Sequence, residues 1–209
     1  EISCSLVGSE MCIRDSIYIN AVAVLYNYIG GSADSEGLQG TCRGIYDYNT
    51  LTTDEAMIPI RGGDWYDGGL WEMYHRHQYD DINQGDWLSE WENFYVGIGQ
   101  CNMVLDDLNQ LNPSNYGLSD SEFESFKAQL RCMRAWGYLR LLNTHRNCIL
   151  TTTSDQAVNE LPENRKQVSP QIMFDFIESE LKDYCLAALP SKSGQSGNCL
   201  LYTSDAADE

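Results

Sequence analysis

Apolar residues recur at alternating steps of four and three between positions 85 and 111, and this spacing constrains the fold more than any other feature. These positions share one side of a helix, which predicts a long helix whose inner face is buried along its length. Asp86 is a suitable N-cap, and Asn112 followed by Pro113 ends the pattern. The residues of the predicted buried face are Trp87, Trp91, Phe94, Ile98, Cys101, Leu105 and Leu108.

A second long helix is predicted from about residue 120 to 142. Ser119 and Glu122 have the spacing of a capping box, in which each side chain bonds the other's backbone N–H. Gly137 lowers helix stability relative to alanine, so its place on the inner face indicates close packing against a neighbouring helix. The other residues of the predicted inner face are Phe123, Phe126, Leu130, Met133 and Leu141.

Two more helices are predicted at the ends of this region, over about 17–29 and 169–189. Ser169 and Pro170 open the later helix, because proline is tolerated in the first turn. We expect Met173, Phe176, Ile177, Leu181, Tyr184 and Leu189 to face inward on that helix, and Ile17, Ala21, Leu25 and Tyr28 on the earlier one.

Polar connections separate these helices at 31–53, 54–84 and 143–168, of which the first two are also glycine-rich, and no segment carries a convincing strand pattern. The fold class is therefore predicted to be all-α. A short, proline-containing turn between the two central helices predicts an antiparallel pair.

The composition excludes some functions. A formal net charge of −18 argues against nucleic-acid binding and against adhesion to anionic lipid, both of which need clustered lysine and arginine. No apolar run is long enough to span a membrane. Five cysteines lie inside the predicted domain, widely spaced and without a CxxC pair, so neither a zinc site nor a redox motif is expected. They are Cys42, Cys101, Cys132, Cys148 and Cys185.

Both ends of the chain differ in character from the sequence between them. Residues 1–16 (EISCSLVGSEMCIRDS) and 199–209 (CLLYTSDAADE) resemble peptides translated from sequencing-adapter DNA. We interpret them as a non-native leader and tail, which leaves 17–198 as the native region.

Five segments in this order resemble the SusD/RagB family of outer-membrane nutrient-binding lipoproteins. They are NAVAVLYNYIGGSADSEGLQG, TDEAMIPIRGGDWYDGGLW, WENFYVGIGQCNMVL, LRCMRAWGYLRLL and FDFIESEL followed by ALP. The resemblance implies tetratricopeptide-like antiparallel helix pairs with long irregular loops. It also implies an incomplete fold, because family members are usually more than twice as long and the C-terminal half would be missing.

The same resemblance implies a function. Family members are lipid-anchored at the cell surface in the outer membrane, bind glycans or other nutrients, and act with a SusC-like TonB-dependent transporter. The signal peptide and anchor would lie outside this sequence. The resemblance implies neither an enzyme nor a cofactor. The chain departs from the family at 146–149, where a Gly-Asn-x-Pro turn is usual, and at Pro170, where arginine is usual.

The glycine-rich segment between Arg61 and Trp71 is the candidate ligand site. The aromatic faces of Trp65, Tyr66 and Trp71 would pack on sugar rings, while Arg61, Asp64 and Asp67 would hydrogen-bond their hydroxyl groups. The alternative is that Trp65 and Trp71 pack onto the helical core, with the glycines permitting tight turns. For Trp87 and Trp91 the helical spacing favours core packing.

Two other site hypotheses carry less weight. His75 and His77 lie near two aspartates, but no further ligand pair is predicted on a shared face, so a structural or surface role is favoured over a metal. A glycoside hydrolase would need two carboxylates at a defined separation. Asp54, Glu55, Asp64 and Asp67 do not establish one from a flexible loop. A hydrolase and a helical adaptor without sugar affinity remain the alternatives to a glycan-binding protein.

Overall fold

The protein is described here from a computed structural model. The structure describes residues 22–23, 25–30, 38, 45–59, 61–62, 67–79, 85–116, 118–159 and 164–189. The predicted leader and tail lie outside these residues. Two compact units divide the chain, one made of residues 1–25 and 94–209 and the other of residues 26–93.

Helices make up most of the described chain, as the sequence predicted, so the fold class is all-α. Helix α1 is described over 22–23 and 25–30. The remaining α-helices are α2 (Ile45–Leu51), α3 (Leu70–His75), α4 (Gly85–Asn109), α5 (Asp120–His145), α6 (Ser154–Asn159), α7 (Pro170–Ser179) and α8 (Leu186–Ala188). Short 3-10 turns cover Asp67–Gly69 and Pro113–Tyr116, a π-helical turn covers Glu180–Cys185, and strands β1 and β2 cover Cys148–Ile149 and Gln167–Val168.

Helices α4 and α5 form the antiparallel pair that the sequence predicted. Phe94 packs on Trp136 and Tyr95 on Tyr138, whereas Asn102, further along α4, bonds the earlier Arg134 of α5. The α4 face is buried from Phe94 through Leu108, as the 4–3 spacing predicted. Helix α4 begins at Gly85, one residue before the predicted cap position at Asp86.

Gly137 lies on the face of α5 that packs against Ile98 and Phe94 of α4. A Cβ atom at this position would lie 3.2 Å from Cγ1 of Ile98, which confirms the predicted close packing. The predicted capping box of α5 is also present. The Ser119 hydroxyl accepts from the backbone N–H of Glu122, and the Glu122 carboxylate accepts from the backbone N–H of Ser119.

The segment that follows α5 is more structured than the sequence predicted. Within 143–168, β1 and β2 pair antiparallel with Cys148 opposite Val168, and α6 lies between them. The hydroxyl of Tyr95 donates to the carbonyl of Ile149 at 2.8 Å and accepts from its amide at 2.7 Å. This side chain on α4 therefore fixes the ladder, which two-residue strands could not stabilise by themselves.

Helix α7 opens as predicted, with the Ser169 hydroxyl capping the amide of Ile172 and Pro170 in the first turn. The predicted inward position of Tyr184 is wrong, because this side chain is 48% exposed. The π-helical turn holds one residue more than an α-helical turn. The buried positions are therefore Glu180, then Cys185, then Leu189.

A buried polar network ties the elements of the 94–189 region together. The guanidinium of Arg134 bonds the Glu180 carboxylate at 2.5 and 3.1 Å and the Asn102 side-chain oxygen at 2.7 Å. Its Nη1 also donates to the Thr152 carbonyl at 3.0 Å. Arg131 bonds the second Glu180 oxygen at 2.7 Å, so both carboxylate oxygens are paired. The network therefore joins α4, α5, the connection after β1 and the π-helical turn.

No helix within the described ranges combines the length and apolar character needed to cross a membrane.

Candidate functional site

The candidate ligand segment ends in a turn that only a glycine-rich sequence adopts readily. Asp67, Gly68 and Gly69 have successive φ angles of 42°, 65° and 89°, all in the left-handed region. Gly68 and Gly69 adopt these φ values without strain, whereas a residue with a side chain would be strained by the same values. The chain reverses here and enters α3 at Leu70.

Trp71 and Tyr74 lie one turn apart on α3 and point into the same unit. Their rings meet edge to face at 6.0 Å, and Tyr74 meets Tyr48 of α2 at 5.9 Å. Trp87, at the start of α4, lies 4.4 Å from Tyr48 and 5.6 Å from Tyr74. We call Tyr48, Trp71, Tyr74, Tyr79 and Trp87 the aromatic cluster. Each such ring pair adds about 0.5–1.5 kcal/mol beyond the buried area, so the cluster holds α2, α3 and the start of α4 rigidly.

One edge of the aromatic cluster reaches solvent at Tyr79, which is 52% exposed. Its ring stacks on the imidazole of His77, with centroids 6.1 Å apart and planes at 18°. The ring nitrogen Nε2 of His77 lies 2.7 Å from the carbonyl oxygen of Thr52, which fixes the imidazole. Partial burial raises the pKa of Tyr79 above its ordinary value. Together these two rings form a flat polar and aromatic surface.

The predicted site residues fall in different places. Arg61 is exposed. Trp71 is only 9% exposed and packs with Tyr48, Leu51 and Tyr74, which favours the packing alternative for this residue. Asp64, Trp65 and Tyr66 lie outside the described residues.

Two features of this unit differ from the sequence-based expectation. Helices α2 and α3 lie in segments predicted to be irregular loops, because each is too short to establish a helical period. The sequence also did not indicate Tyr79 as an exposed aromatic residue of the candidate site. A single tyrosine followed by two aspartates gives no signal that would distinguish it from other tyrosines. Trp87 packs against the aromatic cluster, as its spacing predicted.

The alternative site hypotheses rest partly on Asp64 and on the two aspartates after Tyr79, which lie outside the described residues. The side chains of Asp54, Glu55 and Asp67 are exposed, and His77 is occupied by the Thr52 carbonyl. Across the described part of the chain, no group of three histidine, cysteine, aspartate or glutamate side chains is arranged to hold a metal ion.

The geometry so far defines a class, an all-α protein of antiparallel helices with an aromatic surface in a separate unit. No protein-family model matches the sequence, and the search of curated proteins found no relative. Two solved structures have a similar fold. One is named a laminarin-binding SusD-like protein, with 21% identity and a TM-score of 0.63. The other is a SusD-like carbohydrate-binding protein from Bacteroides vulgatus, with 14% identity and a TM-score of 0.62.

The similarity extends over 86% and 87% of this chain but over only 36% and 37% of those two chains. The protein therefore has a SusD-like fold, as the sequence resemblance implied, and spans about a third of the length of these structures. Both of these proteins are named for carbohydrate or laminarin binding.

Proposed function

We propose that this protein binds carbohydrate and is not an enzyme. The observation that carries the proposal is the SusD-like fold, shared over most of the chain with two proteins named for carbohydrate binding, one of them for laminarin. The exposed ring of Tyr79 and the aromatic residues at positions 65 and 66 supply the chemistry that sugar recognition uses, flat rings beside polar groups.

Within this proposal, ligand contacts come from Arg61, Asp64, Trp65 and Tyr66. Trp71, at the end of the segment, packs in the aromatic cluster and holds the start of α3 in place. A segment with one end held in place has less conformational freedom to lose on binding.

We further propose that the chain hands its ligand to a SusC-like TonB-dependent transporter and is held by a lipid anchor at the surface of the outer membrane. The order of the five SusD-like segments supports this role. Co-purification with a TonB-dependent barrel encoded next to the gene would support it. Association with a different partner, or a locus without such a barrel, would contradict it.

Binding is tested by calorimetry and by gel retardation against a panel of soluble polysaccharides that includes laminarin. We expect Trp65→Ala and Arg61→Ala each to weaken binding by about tenfold or more, as loss of a central contact does. Tyr46→Ala is the matched control, because Tyr46 is a 58% exposed aromatic residue of the same unit outside the proposed site. It should bind like wild type.

The outcomes separate the function from the site. If no polysaccharide binds, the carbohydrate-binding function is refuted. If Trp65→Ala and Arg61→Ala bind as tightly as wild type, the function stands and this site is wrong. Release of reducing sugar by the purified protein would instead favour the hydrolase alternative.

A further inference from the structure

The π-helical turn after α7, Glu180–Cys185, determines which of its side chains face α5. Along this helix the buried residues are Met173, Ile177, Glu180, Cys185 and Leu189. The step of five between Glu180 and Cys185 is the step of a π-helix, and a regular α-helix would place Tyr184 inward. Because of the added residue, the thiol of Cys185 points at α5 and is 2% exposed.

On α5, the facing position is occupied by a second cysteine. The Cys185 thiol donates to the carbonyl of Ala128, with the sulfur 3.3 Å from the oxygen. In an α-helix the carbonyl of residue 128 points toward the amide of residue 132, so Cys185 approaches α5 at the level of Cys132. Cys132 packs against the cluster of Ala128, Cys185 and Leu189, which places its thiol beside that of Cys185.

The two thiols differ in reactivity. Cys132 is partly exposed. When it ionises, the Cys185 thiol can turn its proton from the Ala128 carbonyl to the Cys132 thiolate, and this hydrogen bond lowers the pKa of Cys132. The pKa of Cys185 is raised, first by that same hydrogen bond and then by burial. Burial raises the pKa of Cys101 to about 12 and that of Cys148 to about 11. Cys132 is therefore the thiol that ionises and attacks, since the thiolate is the nucleophile.

We propose that Cys132 and Cys185 are a disulfide-forming pair that links α5 covalently to the π-helical turn. The oxidant is an external disulfide, either a small molecule such as oxidised glutathione or a disulfide-donating protein of an oxidising compartment. This inference does not depend on the ligand proposed above.

Oxidation takes two exchange steps. The Cys132 thiolate attacks one sulfur of the external disulfide, which forms a mixed disulfide and releases one thiolate. The Cys185 sulfur then attacks the Cys132 sulfur and expels the second external thiolate, which takes up the Cys185 proton. The two protein thiols lose two electrons, and the external disulfide is reduced to two thiols.

The bond would close a loop from residue 132 to residue 185, which contains the β1–β2 ladder, α6 and α7. Closing a long loop restricts the unfolded chain more than the folded one, which stabilises the folded state. The spacing of the cysteines in the sequence does not predict this pair, because the two residues lie on separate helices and the π-helical turn directs Cys185 toward Cys132.

The test is a peptide map of the full chain after incubation with oxidised glutathione under native conditions, alkylation and trypsin digestion. Cleavage after Arg131 and Arg134 releases Cys132 in a peptide of residues 132–134. Cleavage after Lys182 and Lys192 releases Cys185 in a peptide of residues 183–192. We expect these two peptides joined, with a mass lower by two hydrogen atoms than their sum. Reduction should separate them.

Thermal unfolding gives a second measurement. Reduction should lower the melting temperature of the oxidised protein by on the order of 10 °C. Cys132→Ser should abolish both the joined peptide and this shift, whereas the matched control Cys101→Ser should keep both. Recovery of both wild-type peptides separately alkylated, or of either joined to another cysteine, would overturn the proposal. The wild-type map decides the matter even if Cys132→Ser fails to fold.

Discussion

The buried ion pair between Arg134 and Glu180 is the contact whose loss should cost the folded state most. Both side chains are 4% exposed, so neither charge can turn to solvent. We consider Arg134→Met, which keeps the aliphatic packing and removes the guanidinium. Breaking a buried pair by removing one partner costs about 3–5 kcal/mol, because the remaining charge stays buried without compensation.

The surrounding contacts narrow this range. Arg131 still bonds one Glu180 oxygen at 2.7 Å, which favours the lower end. Against that, the oxygens of Asn102 and Thr152 each lose the Nη1 donor. The Asn102 oxygen is buried, and an unsatisfied buried acceptor costs about 1 kcal/mol or more. We expect Arg134→Met to lower the free energy of unfolding by about 4 kcal/mol, or the melting temperature by about 12 °C in a chain of this size.

The assay is urea unfolding followed by far-UV circular dichroism. Lys182→Met is the matched control, because it breaks the Lys182–Glu178 pair, whose side chains are 62% and 45% exposed. Exposed pairs contribute about 0.5 kcal/mol or less. The double variant Arg134→Met/Glu180→Leu should recover part of the loss. If Arg134→Met costs no more than Lys182→Met, the reasoning about the buried network is refuted.

Three further predictions follow from other contacts. Gly137→Ala should destabilise the protein by about 1–2 kcal/mol in urea unfolding, because the added Cβ would press on buried Ile98. The control Gly99→Ala, which has open space around the added Cβ, should stabilise the protein by about 0.5–1 kcal/mol. Equal effects of the two substitutions would contradict the argument that α4 and α5 pack closely at Gly137. Trp71→Ala should lower the free energy of unfolding by about 3–5 kcal/mol, and unchanged stability would show that the ring is not part of the core. Burial raises the pKa of Cys101 from 9.0 to about 12. The protonated thiol therefore makes its full contribution to the free energy of unfolding below pH 9.0 and loses it as the pH rises toward 12. Cys101→Ala should lose less stability than wild type over that interval in unfolding measured at a series of pH values, and a parallel pH dependence would refute it.

The long helices could be predicted because their signals are local and repeated. Ser119 and Glu122 form a capping box within one turn, and the buried face from Phe94 to Leu108 repeats often enough to establish its period. The antiparallel pairing followed from the short turn between α4 and α5. Short elements gave no such signal, which is why α2 and α3 were interpreted as loops.

What the sequence could not predict depends on contacts between distant residues. Arg134 and Glu180 are 46 positions apart and stand on helix faces where charge usually means exposure. Tyr184 was assigned inward because α-helical periodicity was extended through a π-helical turn. For the ligand segment the sequence left open whether Trp71 binds or packs, and its burial in the aromatic cluster favours packing.

The π-helical turn also bears on how this chain tolerates changes in length. Each residue of an α-helix turns the chain by about 100°, so deleting one residue from a packed helix such as α5 would swing every later side chain off its contact. Within Glu180–Cys185 the opposite holds, because the turn already carries one residue more than an α-helical path needs. Removing Lys182 or Asp183, both exposed, would restore α-helical spacing while Cys185 and Leu189 kept facing α5. This is the place in the helix where a one-codon deletion can be accommodated.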